Sequence, residues 1–130
     1  MAELADIVFD CHHPGTVARF WAAALDGYIV APYDDDEVER LRSMGIDDVE
    51  DDPTVLVQPA SRQGPRLWFQ SVPESKRVKN RVHIDLRTDD VAGELVRLLS
   101  LGARASDHQP NPALIVLHDP EGNEFCLLRP

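Results

Sequence analysis

The strongest constraint on the fold is an internal repeat. A strand, a helix, a glycine and further strands are predicted in the same order between residues 6 and 72 and again between residues 82 and 128. Repetition at this length indicates two copies of one small structural unit. A chain of 130 residues is long enough for one domain. We therefore predict a single α+β domain, residues 1–130, made of two tandem βαβββ modules at about 5–72 and 82–130.

Each module is predicted to contain one helix that is followed by a glycine cap, Gly27 in the first module and Gly102 in the second. Aligning these two glycines places Asp10 on Asp85. The predicted helices cover residues 14–25, 34–44 and 89–101. Apolar stripes at helical spacing predict that the first and third helices cover their sheets. Asp89 is predicted to cap the third helix, whose buried stripe includes Leu98 and Leu99.

The first module carries an acidic insertion at about residues 34–52. Acidic residues complement the dipole where the helix of this insertion begins, and residues 47–52 are predicted to be a solvated acidic loop. Chelation of a hard cation by the first acidic run is the alternative. The whole chain has a net charge of −10, which argues against nucleic acid and against an anionic membrane surface as partners.

The sequence also favours a cytoplasmic protein. No apolar run approaches the length of a membrane-spanning helix, and the first residues lack a signal-peptide pattern. Two cysteines, Cys11 and Cys126, are too few for a disulfide framework, so we expect both to be reduced.

Residues 82–87 alternate strictly between apolar and polar side chains, which predicts a strand buried on one face. The other face carries His83, Asp85 and Arg87. A solvated edge strand is one interpretation of this face. Three different ionisable groups at two-residue spacing favour the floor of a binding or catalytic site.

Three other predicted strands have a polar face of the same kind. These faces carry Asp6, Val8 and Asp10 in the first strand, Trp68 and Gln70 in the strand over residues 66–72, and Glu124 and Cys126 in the last strand. Cys126 is predicted to be a buried thiol, with a nucleophile activated by His83 as the alternative.

Several stretches resemble the glyoxalase/bleomycin-resistance/dioxygenase group, the vicinal oxygen chelate superfamily, and in particular its glyoxalase-like branch. They read FDCHHP at residues 9–14, LWFQSVPESK at 67–76, KNRVHIDL at 79–86 and DPEGNEFCLL at 119–128. The resemblance implies that the two modules form a curved mixed sheet around a central cleft. It also implies a homodimer and a divalent metal held by the first and fourth strands of each module.

Carried over by position, the ligand sites of that superfamily fall near Asp6, near Trp68 to Gln70, on His83, and on Cys126 or Glu124. The resemblance thus implies a metal site of His83, Asp6 and Glu124, with Glu124 as the candidate catalytic residue. One imidazole and two carboxylates suit Fe, Mn, Zn or Ni. Trp68 and Gln70 are not typical metal ligands, so the chain departs from the complete pattern.

Two functions follow from this resemblance. One is a divalent-metal-dependent lyase, isomerase or dioxygenase acting on a small molecule. The other is a metal-free binding or antibiotic-sequestering protein, for which an acidic chain would attract a basic compound. In either case the predicted substrate-binding residues are Asp10, Trp68, Gln70, Asp85, Arg87 and Cys126.

Overall fold

The computed structural model describes all 130 residues, which divide into two compact units, residues 1–75 and 76–130. The first unit contains strand β1 (Asp6–Cys11), helix α1 (Pro14–Ala24), strand β2 (Tyr28–Val30), helix α2 (Asp35–Ser43), a 3₁₀ turn (Val49–Asp51), strand β3 (Thr54–Pro59) and strand β4 (Arg66–Ser71). The second contains strand β5 (Ile84–Arg87), helix α3 (Val91–Leu101) and strands β6 (Arg104–Ala105), β7 (Leu114–His118) and β8 (Glu124–Leu128).

The two sheets have the same topology. Strand order is β1-β4-β3-β2 in the first sheet and β5-β8-β7-β6 in the second. In each sheet the pair that includes the first strand is parallel and the remaining pairs are antiparallel. The predicted α+β class and the predicted repeat are confirmed.

Helix α1 packs its apolar stripe against the first sheet, as its sequence predicts. Phe20 and Trp21 on this helix are 3% and 1% exposed, and Val17 beside them is 1% exposed. Trp21 stacks on Phe9 of β1 with ring centroids 6.3 Å apart, and Phe9 stacks on Phe69 of β4 at 5.0 Å. Aromatic stacking of this kind adds to the stabilisation that burial provides. The core of the first unit therefore lies between α1 and one face of its sheet.

The opposite face of the first sheet is exposed or only half-buried. In β3 buried and half-buried residues alternate. In β4, Leu67 and Phe69 are buried, whereas Trp68 is half-buried and Gln70 is exposed. A period of two residues is what places alternate side chains on opposite faces. This second face is the one on which the predicted site residues of the first module lie.

Helix α3 is less buried than its sequence predicts. Leu98 is fully buried, but Leu99, which the apolar stripe placed against the sheet, is 41% exposed. The helix is capped by Asp90 rather than by the predicted Asp89, because the Asp90 carboxylate accepts a hydrogen bond from the Gly93 N–H at 3.0 Å. Gly102 has a φ of 118° and ends the helix as predicted.

Strand β5 is shorter than the alternating pattern predicts. It begins at Ile84, and Val82, which was predicted to face the core, is 80% exposed. The backbone N–H of Asn80 donates to the side chain of Glu124 at 3.0 Å. The chain before Ile84 is therefore held by a side chain of β8 instead of by the parallel ladder. None of the three α-helices combines the length and the apolar character that crossing a bilayer requires.

Candidate functional site

The first unit contains a pocket of about 440 Å³ on the sheet face opposite α1. Its floor is formed by Leu56 of β3 and Trp68 of β4. The remaining lining residues come from the ends of these strands and from the acidic insertion and its approach, and they are Ala31, Pro32, Tyr33, Glu37, Arg40, Asp52 and Thr54. An apolar floor with a few polar groups at one wall is the usual composition of a small-molecule site.

Asp52 organises the polar wall of this pocket. Its side chain is only 2% exposed. One carboxylate oxygen accepts hydrogen bonds from the Tyr33 hydroxyl at 2.7 Å and from Arg40 Nη2 at 3.3 Å, and the other accepts from the Thr54 N–H at 2.9 Å. The prediction of a solvated loop over residues 47–52 is therefore wrong for Asp52. Burial and the Asp52 carboxylate both raise the pKa of Tyr33, so its hydroxyl remains a donor at neutral pH.

Arg40 lies between two carboxylates. Its Nε and Nη2 atoms contact one oxygen of Glu37 at 3.0 and 2.9 Å, and Nη2 also reaches Asp52. Charge-assisted contacts of this kind fix the guanidinium in one orientation. The three charged groups of the pocket, Glu37, Arg40 and Asp52, carry a net charge of −1.

Asp6 lies on the same face of the first unit, but its carboxylate is already paired with a cation. Arg66 Nε and Nη2 donate to its two oxygens at 2.7 and 3.0 Å. This bidentate contact lowers the pKa of Asp6, with burial opposing it. The same guanidinium lies 5.8 Å from the ring centroid of Trp68. The structure therefore gives Asp6 an ion-pair partner at the position where the resemblance implies a metal ligand.

Asp10 and Gln70 form a polar pair on the same face. Gln70 Nε2 donates to Asp10 Oδ1 at 2.6 Å, and both residues are exposed. They are opposite each other in the parallel register of β1 and β4. Both lie outside the lining of the pocket, while Trp68 forms its floor.

The second unit brings three potential metal donors together: His83, Asp85 and Cys126. Their donor atoms lie within 4.8 Å of one another, and His83 Nε2 is 3.4 Å from Asp85 Oδ1. Tetrahedral donors about 2.0–2.3 Å from a zinc ion would be about 3.5 Å apart, so a small movement of these side chains fits an ion. The donor set of nitrogen, oxygen and sulfur suits zinc or another transition metal.

Cys126 is buried in this cluster, with 7% of its surface exposed. Burial raises the pKa of its thiol, and the neighbouring Asp85 carboxylate raises it further. The thiol is therefore protonated at neutral pH, which is opposite to what an activated nucleophile needs. A metal ion would have to displace this proton to bind the sulfur.

Glu124 lies in β8 and both of its oxygens are used. Lys76 Nζ donates to Oε1 at 3.0 Å, and the Asn80 N–H donates to Oε2 at 3.0 Å. Burial by itself would raise the pKa of Glu124, but the hydrogen bonds from the backbone and from Lys76 together hold it below its usual value. Arg87, the last residue of β5, is exposed and lies opposite Leu128 in the ladder.

Sequence reasoning missed the polar wall of the pocket. Tyr33, Arg40 and Asp52 were assigned to an insertion or its approach and to no site, and Glu37 was considered only as part of an acidic run that could chelate a hard cation. One local signal was available. An aspartate side chain often accepts a hydrogen bond from the backbone N–H two residues later, which is an Asx turn, and Asp52 forms this turn with Thr54. The contact of Asp52 with Tyr33 joins residues 19 positions apart and has no local signature.

Two copies of a strand, a helix and three strands define the glyoxalase/bleomycin-resistance fold, and the comparisons with known proteins agree. The profile of the glyoxalase-like domain matches residues 6–128. The chain belongs to this glyoxalase-like domain family. No curated protein matches the sequence.

Solved structures of low sequence identity share the fold. The fosfomycin resistance protein FosX from Mesorhizobium loti is 15% identical, with a TM-score of 0.65 over 100% of this chain and 93% of that one. A variant of FosX from Listeria monocytogenes, solved with Mn(II) and 1S,2S-dihydroxypropylphosphonic acid, is 13% identical, with a TM-score of 0.62 over 98% and 90% of the two chains. A bleomycin-binding protein complexed with bleomycin is 16% identical, with a TM-score of 0.55 over 99% of each chain.

Proposed function

We propose that this protein binds a small, flat organic molecule in the pocket of its first unit. The observation that carries the proposal is the pocket itself, about 440 Å³ in volume, with Trp68 and Leu56 as its floor and Tyr33 and Arg40 in its polar wall. Burial of a flat apolar ligand against an indole ring provides most of the affinity in such sites. The bleomycin-binding protein of similar fold, solved with its ligand, supports binding as a function of this architecture.

The test is ligand binding by Trp68→Ala. Three probes of one shape are titrated calorimetrically against the protein: acridine, N-methylacridinium and acridine-9-carboxylate. At least one is expected to bind, and Trp68→Ala is expected to weaken it at least about fivefold, since roughly 1–3 kcal/mol of stacking is lost. Ile29→Ala, which truncates an exposed apolar residue outside the pocket, serves as the control.

Two outcomes would overturn this assignment. Either none of the three probes binds the unmodified protein, or Trp68→Ala binds as tightly as Ile29→Ala. Circular dichroism of each variant establishes that both remain folded.

The second candidate function is divalent-metal chemistry in the second unit, supported by the three donors His83, Asp85 and Cys126. We assign the ion to these residues because the predicted ligands Asp6 and Glu124 already bind cationic side chains. Three protein donors leave a position open for water or substrate, and a bound ion would polarise a substrate oxygen as a Lewis acid. In this candidate function Glu124 is kept as the proposed catalytic carboxylate, and lyase, isomerase or dioxygenase activity is the expected class.

Metal uptake by His83→Ala tests this second candidate. Calorimetric titration with Zn(II) and Mn(II) is expected to give one equivalent of uptake by the unmodified protein, with affinity that rises with pH because Cys126 releases a proton. His83→Ala is expected to lose that uptake, while His108→Ala, an exposed histidine outside the cluster, retains it. Absence of uptake at pH 8, or equal uptake by the two variants, would contradict the candidate.

The proposal also includes a homodimeric state, which the family resemblance implies, and a cytoplasmic location. Light scattering after size-exclusion chromatography, at two protein concentrations, tests the homodimeric state. A mass near 14.5 kDa at both would contradict it.

A further inference from the structure

We propose that the pocket of the first unit selects flat organic cations, and that Glu37 is the residue that receives the positive charge. This inference rests on the proposed binding function and specifies the chemical class of its ligand. It depends on three observations: where the charge of the chain is concentrated, which carboxylate of the pocket has an unused oxygen, and what forms the floor.

The segment that supplies the charged wall of this pocket carries most of the negative charge of the chain. Residues 34–52 contain ten acidic and two basic side chains, a net charge of −8 in a chain whose net charge is −10. This same segment supplies Glu37, Arg40 and Asp52 to the pocket wall. A concentrated field of one sign raises the local concentration of oppositely charged ligands. The charged wall of the pocket therefore comes from the most acidic segment of the chain.

The two carboxylates of the pocket differ in whether they have an oxygen without a hydrogen-bond partner. Asp52 is buried and already accepts hydrogen bonds from Tyr33, Arg40 and the backbone N–H of Thr54. Glu37 is 43% exposed, and both of its contacts with Arg40 use the same oxygen, Oε2. Its Oε1 atom has no hydrogen-bond partner in the structure. A cationic ligand would thus bind at Glu37, while Asp52 positions the wall.

Arg40 does not cancel this preference. One guanidinium faces two carboxylates, so the wall retains a net charge of −1 when Arg40 is fully ionised. The other nearby cation, Arg66, is neutralised by its bidentate contact with Asp6. An anionic ligand would meet two carboxylates and no unpaired cation in the pocket lining.

The floor of the pocket suits a cation as well. The face of an indole ring attracts positive charge, and Trp68 already holds the Arg66 guanidinium 5.8 Å from its ring centroid. Because Trp68 and Glu37 line the same pocket, the ligand we infer is a flat aromatic cation that stacks on Trp68 and has its charge on the Glu37 side.

Matched probes test the selectivity. At pH 8 N-methylacridinium is a cation, acridine is neutral and acridine-9-carboxylate is an anion, while their ring systems are alike. The cation is expected to bind about fivefold to tenfold more tightly than the neutral probe, and the anion more weakly than both. Raising NaCl from 0.05 to 0.5 M is expected to reduce the advantage of the cation, because salt screens the partly exposed Glu37.

Glu37→Gln identifies the residue responsible. It is expected to weaken the cation about fivefold and to leave acridine unchanged, because only the charge is removed. Asp35→Asn is the matched control: it removes the same unit of charge from the same helix at an exposed position outside the pocket lining. A loss of cation affinity that is equal in both variants would mean that the general field acts rather than Glu37, and would overturn the assignment.

The outcomes separate this inference from the binding function on which it rests. If the probes bind in a Trp68-dependent manner with equal affinity, or the anion binds most tightly, cation selection is wrong and the binding function stands. If no probe binds, the binding function itself is contradicted.

Discussion

The two sheets have the same strand order but expose different chemistry. In the first, Leu56 is opposite Trp68 in the antiparallel register, and together they form an apolar floor. In the second, the pair at the matching place of the ladder is His118 and Glu124. Glu124 there holds Lys76 in an ion pair. A duplicated backbone thus positions side chains at equivalent places without deciding what those side chains do.

A second pair of equivalent positions differs in the same way. Asp10 is opposite Gln70 in the first sheet, and Asp85 is opposite Cys126 in the second. The aspartate is common to both, but an amide cannot replace a thiol as a ligand for soft metals. With His83 added beside it, only the second unit has a three-donor cluster. Equivalent backbone positions therefore carry an aspartate–glutamine pair in one unit and potential metal donors in the other.

The largest expected effect concerns the helices, because α1 is buried far more extensively than α3. Trp21→Ala is expected to lower the free energy of unfolding by about 3–5 kcal/mol, since it leaves a cavity next to Phe9 and Phe20. Leu99→Ala in α3 is expected to cost less than about 1 kcal/mol, because Leu99 is 41% exposed. Urea denaturation measures both.

Leu98→Ala provides the control within α3, since Leu98 is fully buried and its truncation is expected to cost about 2–5 kcal/mol. If Leu99→Ala lowered the free energy of unfolding as much as Leu98→Ala, the exposed side of α3 would be buried in solution. The predicted difference in burial between α1 and α3 would then be wrong.

The repeat could be predicted from the sequence because its signals are local. Alternation of polar and apolar residues, helix stripes and glycine caps each depend on a few neighbouring residues. Aligning Gly27 with Gly102 placed Asp10 on Asp85, and the two ladders give both aspartates the same place beside the fourth strand of their units.

The sites could not be predicted to the same extent, because their contacts join distant residues. The ion pair of Asp6 with Arg66 spans 60 positions, and that of Glu124 with Lys76 spans 48. Neither partner was assigned to these carboxylates from the sequence. A pattern identifies which residues share a face, but the side chain that reaches across from another element decides whether a carboxylate is available to a ligand.

A smaller effect is expected from the ion pair of the second unit. Glu124 and Lys76 are each 19% exposed, and the lowered pKa of Glu124 means that its carboxylate is more stable in the folded than in the unfolded state. This contribution is present above the usual carboxyl pKa of about 4.5 and is lost as the pH falls through the lower folded value. Glu124→Gln is expected to cost about 1–3 kcal/mol at pH 7.

The pH dependence is the specific readout for Glu124. The difference in stability between the unmodified protein and Glu124→Gln is expected to shrink as the pH falls below about 4.5, where Glu124 of the unfolded chain becomes protonated, and to be lost below the lower pKa of the folded chain. Glu39→Gln, an exposed carboxylate on α2, is the control and is expected to show a small effect at every pH. A difference that persists unchanged at pH 3 would mean that Glu124 acts through packing rather than charge.

The smallest effect is expected from the ion pair of Asp6 with Arg66 in the first unit, because this pair is more exposed than the pair of Glu124 with Lys76. Asp6 and Arg66 have side chains that are 27% and 47% exposed, and solvent screens such pairs strongly. Asp6→Asn is expected to change the Tm less than Glu124→Gln does when both are measured side by side at pH 7. Its remaining effect is expected to vanish in 0.5 M NaCl, whereas that of Glu124→Gln persists. If Asp6→Asn instead lowered the Tm as much as Glu124→Gln, the position of the Arg66 guanidinium above Trp68 would depend on Asp6. The two ion pairs would then contribute equally to stability.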